Sequence, residues 1–357
     1  MSENTELQTA ISSEHLPAGG VCKIAVLGAG AWGTALAIHL ARVGHDVRLW
    51  AHAESSVLRM QSEQENARYL PGVKFPENLQ VSSDLESLVS CVDAVLVVVP
   101  SHVFREVLEK LKQSIPAGVF DGLPVAWATK GFEPDSLLLL HKVAEQVLGE
   151  NANLSVLSGP TFAAEVALGK PTAMVSASKD AKQAEFWAQI FHHQSFRMYT
   201  QTDMVGVEIG GAYKNIMAIA TGVSDGLELG ANARAALISR GLVEMMRLSQ
   251  ALGGQAETMM GLAGLGDLVL TCTDDLSRNR RFGYQLAQKG AEVNQVIEKI
   301  GQVVEGVKAV RSVKKIADNL ALDLPIMQQV YDLVEAKITP QQAAVALLAR
   351  DGKAESS

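Results

Sequence analysis

The stretch that most constrains this chain is residues 23 to 52. Lys23 to Leu27 read as a buried strand, and Gly28, Gly30 and Gly33 form Gly-x-Gly-x-x-Gly. An alanine-rich helix runs on to Val43, Gly44 stops it, and Asp46 to Trp50 start a second strand. The glycines thus stand at the turn between strand and helix, where a nucleotide-binding β-α-β unit needs them. Gly28 permits the tight turn, Gly30 lets the backbone approach a pyrophosphate with no Cβ in the way, and Gly33 lets helix and strand pack closely. Phosphates would rest on the free N–H groups of the helix, whose dipole adds roughly 0.3–1 kcal/mol per charge. A purely structural turn is the alternative, and the flanking strand and helix argue against it.

With 357 residues, 48% hydrophobic and 20% charged, the chain has the length for two domains and the makeup of an ordinary globular protein. The net charge of −8 disfavours a general nucleic-acid or membrane-surface binder. Anionic ligands would have to be met by local basic clusters. Cys22, Cys91 and Cys272 are widely spaced, so neither a disulfide framework nor a zinc site is expected, and no metal is assigned. Residues 1 to 20 form a polar stretch without the basic start and apolar core of a signal peptide, and they read as a flexible tail. The longest apolar run, Ala94 to Val99, is far short of the ~20 residues that span a bilayer. A cytoplasmic protein without membrane insertion is expected.

Further along, Val92 to Val99, Val125 to Thr129, Leu154 to Leu157 and Thr172 to Ser176 read as strands, with helices near Phe104 to Gln113 and Ser136 to Leu148. Residues 53 to 80 read as mixed and polar. Alternating strands and helices predict a Rossmann-type doubly wound parallel sheet over residues 21–203, binding ligands beyond the carboxyl ends of its strands. Past Asp203 the strand signal ends. Helical patterns over 204–224, 231–252, 279–289, 292–301, 304–319, 325–336 and 339–350 predict an all-α domain over 204–350, with a short tail at 351–357.

Four places can carry chemistry. No acid ends the second strand, where Leu49-Trp50-Ala51-His52 stands, so His52 could hydrogen-bond a 2′-phosphate, with Arg48 as a helper; Glu54 doing the acid's work on a ribose is the alternative. In Gly210-Gly211-Ala212-Tyr213-Lys214-Asn215, Gly210, Lys214 and Ala218 share one helix face. The small neighbours leave space for a desolvated lysine able to exchange a proton with an alcohol, unless this is only a surface lysine. The glycine-rich stretch 261–266 delivers Asp267, either to a substrate hydroxyl or to Lys214, or as the N-cap of a helix starting at Leu268. Finally, Ser277 can cap a helix beginning at Arg278, where Arg278, Arg280 and Arg281 suggest an anion site, most naturally for phosphate. The cluster is too short and isolated for a nucleic-acid interface.

Taken together, Gly-Ala-Gly-Ala-Trp-Gly-Thr at 28–34, Ala-Thr-Lys-Gly at 128–131, Ser-Gly-Pro-Thr-Phe-Ala at 158–163, Tyr-Lys-Asn at 213–215, Gly-Leu-Gly-Asp at 264–267, Ser-Arg-Asn-Arg-Arg-Phe-Gly at 277–283 and Val-Glu-Gly at 304–306 closely resemble the bacterial type of NAD(P)-dependent glycerol-3-phosphate dehydrogenase. The resemblance implies interconversion of sn-glycerol 3-phosphate and dihydroxyacetone phosphate with NAD(H) or NADP(H), supplying glycerol 3-phosphate for phospholipid synthesis. It is compatible with a homodimer. By matching position, Trp32, His52, Lys130, Ala163, Arg278, Val303 and Glu305 would touch the cofactor. Lys130, Gly159, Thr161, Lys214, Asp267, Ser277, Arg278 and Asn279 would line the substrate site, with Lys214 as proton acceptor. Gly159 and Val303 rest on the resemblance only. Two other readings stay open: a 3-hydroxyacid dehydrogenase of related architecture, disfavoured because Asn215 directly follows Lys214 while Ala218 stands four residues on, and a non-catalytic dinucleotide-binding regulator.

Overall fold

The computed structural model describes residues 20–115, 122–301 and 304–349. Apart from Gly20, the tails expected at 1–20 and 351–357 lie outside these. The described chain divides into two compact units, one of residues up to 133 with 138–207, the other of 134–137 with residues from 208 on.

The first unit is built on one eight-stranded sheet: β1 Lys23–Leu27, β2 Asp46–Trp50, β3 Leu79–Ser82, β4 Ala94–Val97, β5 Val125–Trp127, β6 Leu154–Ser158, β7 Thr172–Ala177 and β8 Phe196–Gln201. Their spatial order is 3-2-1-4-5-6-7-8, so the first six strands carry the Rossmann order and the chain reverses between β1 and β4. Every residue of β4, β5 and β6 is buried, as expected for strands covered on both faces.

Four features depart from the sequence reading. β7 runs antiparallel to β6, and β8 returns parallel to β7. The segment that joins β6 to β7 carries only the short helix Ala163–Ala167. The polar stretch 53–80 holds the helix Glu54–Glu63 and β3, where only Leu79 and Val81 point inward. β8, which the sequence did not announce, is an edge strand with a single fully buried residue, Phe196. The helix foreseen from Ser136 begins instead at Leu140.

In the second unit every long element is helical: Met204–Gly226, Gly230–Ala251, Arg278–Leu286, Val293–Ile300, Glu305–Asn319, Pro325–Val334 and Pro340–Leu348. The first of these is buried throughout from Val207 to Val223, its polar residues Glu208, Lys214 and Asn215 included. Neighbours meet it at backbone distance. A Cβ on Gly222 would come within 2.0 Å of the Arg280 carbonyl oxygen, and one on Gly283 within 2.1 Å of that of Ile219.

Behind the first unit's sheet, His39 stacks on Phe196 at 4.1 Å between ring centres, its Nε2 2.9 Å from the Phe191 carbonyl oxygen. Burial pushes its imidazole down from 6.5 to about 4, against the pull of that carbonyl and with the help of nearby His193, Arg42 and His45. His45 Nδ1 accepts from the Cys22 N–H at 3.2 Å, so its proton sits on Nε2 and is donated to the Ile190 carbonyl at 3.0 Å. Both rings are therefore built in as neutral groups. Below pH 6.5 the unfolded chain binds protons that the folded chain refuses, so stability is full above 6.5 and falls as the pH drops towards 4. His39 alone should account for about 3 kcal/mol of that loss. Urea midpoints measured from pH 7 to pH 4 should decline more steeply for the wild type than for His39→Phe, which starts lower but cannot titrate; equal slopes would remove His39 as the cause.

Candidate active site

The glycine turn lies where β1 hands over to the helix Ala31–Val43, at the point of strand-order reversal. Gly28 has φ +121°, and a Cβ there would lie 2.4 Å from the Val98 carbonyl oxygen; one on Gly33 would lie 1.9 Å from that of Gly28. Both positions exclude any side chain. Gly30 differs, because a Cβ on it would meet nothing within 4 Å. It faces open space at a helix start that has no side-chain cap and no acid in its first turn. Trp32 buries an indole N–H that has no hydrogen-bond partner. An uncapped positive helix end, a glycine facing space and an orphaned donor suit the pyrophosphate of a dinucleotide.

His52 is exposed just past β2, its ring 6.1 Å from that of Trp50. Arg48 is not beside it in function: its Nη1 donates to the Leu88 carbonyl at 3.2 Å. Glu54 is exposed in the first turn of its helix. Lys130 follows β5 on a loop that Thr129 ties to the loop after β4, donating to the Val99 carbonyl at 2.8 Å. Gly159 ends β6 where a Cβ would press within 2.9 Å of the Met174 Cα, which gives its glycine a packing reason. Thr161 donates to the Gly159 carbonyl at 3.3 Å, and Ala163 opens the short helix behind it, packed against the core.

In the second unit Lys214 and Asp267 meet. Lys214 Nζ donates to Asp267 Oδ1 at 2.5 Å, with the lysine side chain 9% exposed and the carboxylate fully buried. The space anticipated beside Gly210 is not empty. The backbone of the stretch 262–266, a π-helical turn, fills it, so that a Cβ on Gly210 would stand 2.2 Å from the Ala263 carbonyl oxygen. That close approach brings Asp267 to the lysine. Asp267 is therefore no N-cap; it is the first residue of the helix Asp267–Thr273, and Thr271 Oγ1 donates to its carbonyl at 2.6 Å.

Ser277 caps the helix Arg278–Leu286 by accepting from the Arg280 N–H at 3.2 Å. The three-arginine cluster does not act as a unit. Arg280 is bound to Asp225 at 2.7 and 3.1 Å and also pairs with Asp275, while Arg281 is exposed. Arg278, half-buried, stays at the capped end. Asn279 Nδ2 donates to Asn215 Oδ1 at 2.9 Å, Asn279 Oδ1 accepts from the Gly306 N–H at 2.9 Å, and Asn215 Nδ2 donates to Glu305 Oε2 at 3.4 Å. Asn279 and Glu305 are thus locked to the residue after Lys214. Val303 lies outside the described residues.

Sequence reasoning missed Glu244. Buried in the helix Gly230–Ala251, it accepts from the Tyr213 hydroxyl at 2.6 Å and from the N–H groups of Ile326 and Met327 at 2.7 and 3.1 Å. Burial raises its carboxyl above the usual range despite those donors. Nothing in the local sequence marks it, because its partners stand far off in the chain.

The fold and the two residue groups define a Rossmann-type, dinucleotide-dependent dehydrogenase with a buried lysine–carboxylate pair. Residues 23–184 match the N-terminal and residues 203–345 the C-terminal family model of NAD-dependent glycerol-3-phosphate dehydrogenase. The chain is 64% identical to the NAD(P)+ glycerol-3-phosphate dehydrogenase of Hydrogenovibrio crunogenus, over 93% of this chain and 96% of that protein. It is 50% identical to that of Xanthomonas euvesicatoria pv. vesicatoria over the same shares. The crystal structure of glycerol-3-phosphate dehydrogenase from Coxiella burnetii superposes with a TM-score of 0.87 at 47% identity, covering 92% of this chain and 99% of that one. The chain belongs to the NAD-dependent glycerol-3-phosphate dehydrogenase family. Among the described residues no helix is long and apolar enough to cross a membrane, and no group of three or more His, Cys, Asp or Glu side chains is arranged to hold a metal ion.

A buried pair is costly to break and cheap to replace as a whole. Asp267→Ala should lower the unfolding free energy by about 3–5 kcal/mol, because it leaves an ammonium buried without its carboxylate. The double variant Lys214→Met with Asp267→Leu should recover most of that loss in denaturant titrations. Simple addition of the two single effects would contradict a direct pairing.

Proposed function

We propose that this protein interconverts sn-glycerol 3-phosphate and dihydroxyacetone phosphate, using NAD(H) or NADP(H). The observation that carries this reading is the buried Lys214–Asp267 pair, one residue from the Asn215–Asn279–Glu305 network, in a chain whose other unit bears a dinucleotide turn. The dinucleotide, when bound, supplies or accepts hydride at substrate C2. Residues 21–203 would hold it: Gly28, Gly30, Trp32 and Gly33 its pyrophosphate, His52 the adenosine ribose or its 2′-phosphate, and Lys130 and Ala163 the remainder, with Arg278, Val303 and Glu305 added from 204–350.

Lys214 handles the proton. In the oxidising direction the neutral amine takes the proton of the C2 hydroxyl; in the reducing direction the ammonium returns it to the developing alkoxide. Asp267 fixes the Nζ atom and balances its charge while protonated. Ser277, Arg278 and Asn279, at a helix start, would receive the substrate phosphate, since free N–H groups and a guanidinium both favour a doubly charged anion. Lys130, Gly159 and Thr161 would complete the substrate contacts. In the cell the product would feed glycerophospholipid synthesis from the cytoplasm, and the assembly would be a homodimer without nucleic acid.

The test follows absorbance at 340 nm with dihydroxyacetone phosphate and either NADH or NADPH, beside unphosphorylated dihydroxyacetone and a 3-oxoacid. Turnover of the phosphorylated ketone alone is expected. Turnover of the oxoacid instead would point to a hydroxyacid dehydrogenase, and cofactor binding with no turnover to a regulator. Lys214→Ala should cut kcat by ~10²–10⁴. His52→Ala should raise KM for NADPH by roughly 10–100-fold, as loss of a charge-assisted hydrogen bond does, and leave KM for NADH much less changed. Equal effects on both would remove His52 from the 2′-phosphate.

A further inference from the structure

The loop between Glu63 and β3 carries one buried polar side chain, Asn66, which is 4% exposed. Its backbone carbonyl accepts from the N–H groups of Tyr69 and Leu70 at 3.1 and 2.8 Å, so the loop folds around it, and Leu70, Val73 and Phe75 tie the loop to the core of the first unit. Its side chain leaves the loop altogether. Asn66 Nδ2 donates to the Ala29 carbonyl oxygen at 2.9 Å and to Thr34 Oγ1 at 2.8 Å, so both amide hydrogens go to the glycine turn and the helix after it.

The Ala29 carbonyl belongs to the peptide plane between Ala29 and Gly30. In a trans peptide the C=O and the following N–H point in opposite directions. Among the described residues no cis bond occurs, so holding the Ala29 oxygen against Asn66 turns the Gly30 N–H to the far side. Gly30 itself is unobstructed, since a Cβ on it would meet nothing within 4 Å. The second bond, to Thr34, ties the same amide to the first turn of the helix.

We infer that Asn66 is a positioning residue for the dinucleotide's pyrophosphate: it does not touch the cofactor but sets the rotation of the Ala29–Gly30 peptide that does. This rests on the dinucleotide reading of the glycine turn. It predicts a loss confined to the pyrophosphate half of the ligand, so NADH and ADP-ribose, which lacks the nicotinamide, should suffer alike.

The test measures Kd for NADH and for ADP-ribose by calorimetry on the full chain, with steady-state KM and kcat beside them. Asn66→Ala should raise both Kd values at least about tenfold by the same factor, and the kinetic loss should fall on KM for the dinucleotide rather than on kcat. Asn66→Asp keeps the shape of the side chain should the alanine variant fold poorly; its loss should persist at high salt, where simple repulsion of phosphate is screened. Thr34→Val removes only the helix arm and should leave both Kd values within about threefold of wild type. Kd values unchanged in the folded Asn66 variants would overturn the inference, as would equal losses in Thr34→Val, since the Ala29 bond would then have no share. Failure of the wild type to bind ADP-ribose at all would instead defeat the dinucleotide reading itself.

Discussion

An ammonium group taken out of water must find a carboxylate, and the second unit is arranged to meet that demand at Lys214. The helix carrying it is buried all round, so the charge has little solvent to turn to. What reaches it is the backbone itself: Gly210 admits the turn at 262–266 to within a distance no side chain would allow, and Asp267 arrives at the end of that turn. Pair and packing depend on each other. The glycines that let neighbouring segments touch the helix also fix how far the carboxylate can stand from the amine.

The same economy of side chains shapes the first unit at its glycine turn. Gly28 and Gly33 are glycines because carbonyl oxygens occupy the places of their Cβ atoms, whereas a Cβ on Gly30 would meet nothing within 4 Å. The two situations differ in kind. One serves packing, and the other leaves room beside an uncapped helix start.

Much of this was legible before the structure. Strands covered on both faces announce themselves as apolar runs, as Val95 to Val97 do, and the glycine triplet between strand and helix fixed the fold class. Edge strands left weaker traces: β3 fell in the stretch read as mixed and polar, and β8, which buries only Phe196, was not announced at all. The antiparallel turn of β7 was hidden for another reason: a sequence shows that a strand is present but not which way it runs. At the site, Ser277 as a cap and Lys214 between small residues on one helix face could be read locally. The partners were less legible. Asp267, 53 residues from Lys214, appeared only as one alternative among three, and the bond of Asn279 to Asn215, 64 residues apart, left no sign, because no periodicity spans such distances. Within the arginine cluster Arg280 misled, because charge is visible in a sequence but its neutralisation by Asp225 is not.

The contact between Glu244 and the helix Pro325–Val334 bears on how the chain is made. That helix has no side-chain cap of its own, and the carboxylate that serves its first N–H groups is separated from them by 82 residues. At synthesis rates of about 5–20 residues per second, Glu244 emerges roughly 4–16 s before its donors exist. During that interval it has the Tyr213 hydroxyl but neither of its backbone donors. A chain stopped short of Ile326 would leave the carboxylate without both of them.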